Sequence, residues 1–115
     1  MLAISLWVND ENMGRDVNVE ICKRNIYFNG EHISRENRIC IFTKISELKE
    51  IECEEVNYVE VNNVKLLRCA YIEIKDAHMN FMNKEGVLLS YLPMREIDRL
   101  TLVTIDRILI IADEK

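Results

Sequence analysis

Apolar positions recur along this chain at the short spacing of β-strands, in brief runs separated by polar turns rich in Asn and Gly. The first run, Leu2 to Val8, predicts a buried strand, and the polar stretch Asn9 to Asp16 reads as a loop. Val17, Val19 and Ile21 then alternate with Asn18, Glu20 and Cys22, the period of a half-buried strand. A turn at Arg24-Asn25 leads into Ile26-Tyr27-Phe28. Asn29-Gly30 supports the positive φ angles of a tight hairpin turn, so a short strand should follow around His32 and Ile33. After the polar run Ser34 to Asn37, Arg38 to Lys44 predicts a further strand. Ile45, Leu48 and Ile51 fit helical spacing, whereas Ile51 and Cys53 alternate with Glu52 and Glu54. A single helical turn running into a strand reconciles the two patterns.

From Val56 to Ala112 the pattern is denser. A two-residue turn at Asn62-Asn63 pairs Val61 with Val64, Glu60 with Lys65, Val59 with Leu66 and Tyr58 with Leu67. It also sets Asn57 against Arg68 and Val56 against Cys69. Glu60 and Lys65 then face each other as opposite charges, and each such cross-strand pair contributes up to about 1 kcal/mol. Apolar residues on both faces imply a hairpin covered on both sides, either by the rest of the domain or by a partner. A second hairpin runs from about Ile72 to Leu92, turning at Asn83-Lys84-Glu85-Gly86. Pro93, the single proline, suits the first position of a short helix, with Met94, Ile97 and Leu100 inward and Arg95 and Arg99 on one outer face. Thr101 to Ile105 and Arg107 to Ala112 close the chain. The continuous run Ile108-Leu109-Ile110-Ile111 marks a central strand.

These elements predict one mainly β domain over residues 1–115: a small antiparallel β-sandwich or barrel with one or two short helical turns. Its 115 residues suffice to bury roughly two-thirds of the unfolded surface without a disulfide or metal staple. A 49% hydrophobic and 30% charged composition is that of a globular chain. The net charge of −5 opposes general nucleic-acid binding. The apolar opening lacks a basic start and is too short for a signal peptide, and no run approaches the about 20 apolar residues of a membrane span. A cytoplasmic, membrane-independent protein is expected.

Candidate chemistry is sparse. Cys22, Cys40, Cys53 and Cys69 lie 18, 13 and 16 residues apart. No C-x-x-C pair exists, so neither a structural zinc site nor a redox dithiol is predicted, and the thiols read as reduced, mostly buried groups. With only Gly14, Gly30 and Gly86, no glycine-rich phosphate loop is available. Neither His32 nor His78 sits in a recognisable catalytic context. No cofactor and no metal are expected.

Charge gives the sharpest pointer. Glu47, Glu50, Glu52, Glu54 and Glu55 form a dense acidic stretch relieved by Lys49, either a solubilising face or a surface for an electropositive partner. Arg95, Arg99 and Arg107 offer planar guanidinium groups for an anion. Trp7 is opposite in parity to Leu6 and Val8, so when they face the core it faces outward or into an interface, or else takes a second-layer core position.

The run from His78 to Leu100 is similar to the middle of bacterial pleckstrin-homology-like domains: strand, turn, strand, then a short polar connector through Leu92-Pro93-Met94-Arg95-Glu96-Ile97. The resemblance transfers no function. Frequent Ile and Asn, scarce Ala and absent Gln point to an AT-rich coding genome, such as those of low-GC bacteria and their phages. The leading expectation is a non-enzymatic protein-interaction module, an accessory subunit or inhibitor-like binder that uses strand edges and the acidic patch, with self-association as one mode. The alternative is an oligomeric small-ligand or nucleotide-binding domain with an arginine-lined anion site.

Overall fold

Branched and aromatic residues separated by positive-φ turns produce twelve strands among the described residues. The structure is a computed structural model, and it describes residues 1–22, 25–33, 38–48, 56–104 and 107–113. The strands are β1 (Leu2–Val8), β2 (Glu11–Cys22), β3 (Asn25–Phe28), β4 (Glu31–Ile33), β5 (Arg38–Thr43) and β6 (Tyr58–Val61). They continue as β7 (Val64–Leu67), β8 (Tyr71–Lys75), β9 (His78–Met82), β10 (Leu88–Pro93), β11 (Arg99–Val103) and β12 (Ile108–Asp113). Two single 3-10 turns, Ile45–Glu47 and Met94–Glu96, complete the described elements.

Two sheets result. The larger has nine strands in the order β4-β3-β2-β1-β5-β12-β11-β6-β7, and the smaller has three in the order β10-β9-β8. Among the described strands all pairings are antiparallel except that of β5 with β12. Strand β12 lies between β5 and β11, as its unbroken apolar run requires. Ile72, Met79 and Phe81 of the small sheet share one buried cluster with Val59, Leu100, Leu102 and Ile111 of the large one. The fold is therefore mainly β, built from two antiparallel-rich sheets around a common core.

Local conformations explain both the agreements and the departures from the sequence pattern. Asn62 (φ 49°) and Asn63 (φ 68°) make the expected tight turn, and the ladder runs from Val61–Val64 to Tyr58–Leu67 in the predicted register. It stops there, before Asn57–Arg68 and Val56–Cys69, because Arg68 takes φ 66° and turns the chain away. Nor does the rest of the domain cover this hairpin on both sides. Val59 and Val61 are buried, but Val64 and Leu67 are 63% and 65% exposed, since β7 is an edge of the nine-stranded sheet.

The loop expected over Asn9 to Asp16 shrinks to a two-residue turn, Asn9 (φ 51°) and Asp10 (φ 65°). Arg38 N–H donates to the Asn9 side-chain oxygen at 2.9 Å and fixes that turn. Strand β2 then starts at Glu11, with a bulge opposite Leu6–Trp7 where the register shifts. Polarity misled the loop reading because both faces of this part of β2 are largely exposed. The hairpin expected from Ile72 to Leu92 is two hairpins of three strands. Its unforeseen turn is Asp76 (φ 52°) and Ala77 (φ 59°), and Ala is a rare choice for a left-handed position. The helix after Pro93 is one 3-10 turn, and Arg99 already belongs to β11. Met94, Ile97 and Leu100 are buried as the spacing required. The predicted strand within Ile51–Glu54 lies outside the described residues.

Two thiols are tuned by burial. Desolvation raises Cys40 and Cys69 above the ordinary 9.0, and at Cys40 the Arg99 and Arg38 guanidinium charges oppose the rise. A raised folded-state value means that the folded chain holds the thiol proton more tightly. The associated stability is present below the unfolded value and is lost as pH climbs through the folded one. Unfolding midpoints in urea should therefore fall as pH rises above about 9, and less steeply in a Cys40→Ser, Cys69→Ala variant. Parallel declines in the two proteins would show that other groups set the alkaline slope.

Candidate partner-docking face

The small sheet presents the most distinctive surface of the molecule. Its turn at Asn83 is held by the Asn83 side-chain oxygen, which accepts from Glu85 N–H at 3.0 Å and from Val87 N–H at 2.9 Å. Gly86 takes φ 80°, which a side chain would resist. Beyond the turn, alternation divides the strands into two faces. Ile72, Met79 and Phe81 point into the core. In register on the opposite face lie Tyr71, Met82 and Leu88, then Glu73, Asn80 and Tyr91, then Lys75, His78 and Pro93.

That outer face is apolar where it borders β10. Tyr71 is 41% exposed, Leu88 51% and Tyr91 59%, with Val87 and Leu89 exposed beside them. The His78 ring lies 5.7 Å from that of Tyr91, and its Nδ1 is 2.8 Å from the Asp76 carbonyl oxygen. These contacts orient the ring by a backbone group and a phenol. Exposed tyrosines beside a half-buried methionine, Met82, are typical of protein interfaces.

The sequence-predicted residues scatter by comparison. Of the acidic stretch, Glu47 sits on the first 3-10 turn, 3.9 Å from Lys44; Glu50, Glu52, Glu54 and Glu55 lie outside the described residues. Arg95 is exposed on the second 3-10 turn. Arg99 and Arg107 stand at opposite ends of the β11–β12 hairpin, since Arg99 pairs with Ala112. Ala112 lies five residues along the chain from Arg107, roughly 17 Å in an extended strand. Arg107 is also buried, and its guanidinium donates to the Ile33 carbonyl at 3.3 Å. The three arginines are not brought together into one anion site.

Trp7 sits beside Cys40 in the β1–β5 ladder, on the face opposite the buried Leu6, and is partly exposed. An apolar cleft of about 270 Å³ opens where Phe28 and Ile33 approach Leu6 and Val8. Among the described residues no His, Cys, Asp and Glu cluster has the disposition of a metal site, and no helix is long and apolar enough to cross a membrane. Sequence reasoning passed over the β10 face, although its signal was legible: Val87-Leu88-Leu89-Ser90-Tyr91-Leu92 carries no charge. Set against family models, curated proteins and solved structures, the chain matches none.

Proposed function

We propose that this chain is a non-enzymatic interaction domain that docks a polypeptide on β10 and the adjoining outer face of the small sheet. The observation that carries this reading is the exposure of Leu88 and Tyr91 on an edge strand without a single charge. An edge strand offers unpaired backbone N–H and C=O groups, and monomeric proteins usually guard it with charged side chains. Here the neighbouring side chains are apolar and aromatic, so backbone pairing and side-chain burial would act together. The arginine-lined anion site has less support, because Arg107 is already occupied by the Ile33 carbonyl.

The reading is tested by replacing Tyr91 with photoreactive p-benzoylphenylalanine and irradiating cells that make the full chain. Covalent products with a polypeptide should form at this position and not when the same residue replaces Val64, which is comparably exposed on β7. Equal or absent crosslinking at both positions would overturn it.

A further inference from the structure

The geometry points to a second copy of this chain as the occupant of β10, the two strands pairing antiparallel about a two-fold axis between Leu89 and Ser90. This inference rests on the docking reading above and names its partner. Three observations carry it.

The first is a comparison of free edges. Of the four edges among the described strands, β4 carries Glu31, β7 carries Lys65, and β8 carries Glu73 and Lys75. Only β10 carries no charge. A like-charged pair would arise if any of the other three met its own copy at the charged position, which is the usual guard against edge pairing.

The second is hydrogen-bond phase. Met94 N–H donates to the Ala77 carbonyl at 2.9 Å, so by alternation Leu92 and Ser90 spend their backbone groups on β9, while Tyr91 and Pro93 point theirs outward. The β9–β10 register shifts by one residue at a bulge between Leu88 and Ser90; on its other side the Val87 carbonyl accepts from Asn83 N–H at 3.0 Å, so Leu88 also points outward. Outward groups therefore sit at Leu88 and Tyr91, one residue further apart than in a regular strand. A copy of the same strand has the same offset. Only a register that sets Leu88 of one copy opposite Tyr91 of the other matches outward with outward throughout. Val87 then meets Leu92, and Leu89 meets Ser90. The bulge would hinder a regular foreign strand and is cancelled by an identical one. Pro93, with no N–H to give, ends the ladder.

The third is the composition of the pairs and their flanks. The register brings two Leu–Tyr pairs onto the outer face, each bordered by Met82 and Tyr71. Beyond the ladder, Lys84-Glu85 of one copy approaches the stretch Arg95-Glu96 of the other. Each flank then holds two basic and two acidic groups, a balanced rim. The product is a six-stranded sheet running through both small sheets.

This pairing covers less surface than the about 800 Å² per partner of a standard interface, so a reversible dimer is expected. Sedimentation velocity from roughly 10 µM to 1 mM should show a monomer–dimer shift. Amide exchange should show Leu88 and Tyr91 gaining protection as concentration rises. Leu88→Lys should weaken the dimer at least about tenfold, because each substitution enters a two-fold interface twice. Leu67→Lys on the β7 edge should leave it unchanged. A monomer throughout the range overturns the inference, as does a dimer indifferent to Leu88→Lys or one in which the two amides stay unprotected. Crosslinking of position 91 to a different protein, in a chain that remains monomeric, would overturn self-pairing and leave the docking reading standing.

Discussion

Phe81→Ala should remove about 3–5 kcal/mol of stability, because truncating a buried aromatic loses its transfer energy and leaves a cavity. Phe81 of β9 is 0% exposed, between Ile72 of β8 and Ser90 of β10. It joins the small sheet to the core shared with Leu100, Leu102 and Ile111. A domain of this size is stable by about 5–15 kcal/mol, so the variant loses a large fraction of the whole. Tyr91→Ala, on the same sheet but the opposite face, should change stability by no more than about 0.5 kcal/mol. Urea denaturation of the two variants reads the contrast directly. Comparable losses would mean that the outer face is packed and unavailable for docking.

That contrast follows from period-2 alternation, which is also what made most of the fold readable. Leu2–Val8 and the Asn62-Asn63 hairpin were set by local chemistry: a continuous apolar run in one case, two residues tolerant of positive φ in the other. Nothing beyond neighbouring residues was needed to place them. The errors arose where a strand does not look half-buried. Glu11 to Asp16 is mostly polar and largely exposed on both faces, so its pairing with β1 leaves no half-buried alternation to read. Asp76-Ala77 turns the chain with an alanine that no turn propensity favours. The parallel pairing of β5 with β12 joins residues about seventy positions apart, which no local pattern encodes.

The candidate site was hidden for a different reason. Attention to charge led toward Glu47 to Glu55 and the arginines, yet the docking edge is defined by the absence of charge. An apolar hexamer such as Val87 to Leu92 reads equally well as a buried strand. Only the sheet order, which leaves β10 without a neighbour on one side among the described strands, distinguishes the two. Arg107 illustrates the converse. Its sequence neighbours mark it as an available cation, but the fold buries it against the end of β4.

Asn62→Ala should cost about 2–3 kcal/mol although the residue is exposed, because one side chain ties two parts of the chain together. Its Nδ2 donates to the Glu96 carbonyl at 2.7 Å, and its Oδ1 accepts from Asp98 N–H at 2.8 Å and Arg99 N–H at 3.2 Å. These bonds clamp the β6–β7 turn to the connection that follows β10. Alanine removes all three and must also hold φ 49°, which is unfavourable for a residue with a Cβ and no local hydrogen bond to offset it. Asn62→Gly separates the two contributions: it accepts the backbone angle and loses only the bonds, so its cost should be about 1 kcal/mol smaller. Asn63→Gly, at φ 68° in the same turn, should be close to neutral. Faster amide exchange at Asp98 and Arg99 in both Asn62 variants would locate the damage at the clamp. If Asn62→Gly matched the native stability, the turn angle and not the clamp would be what Asn62 supplies.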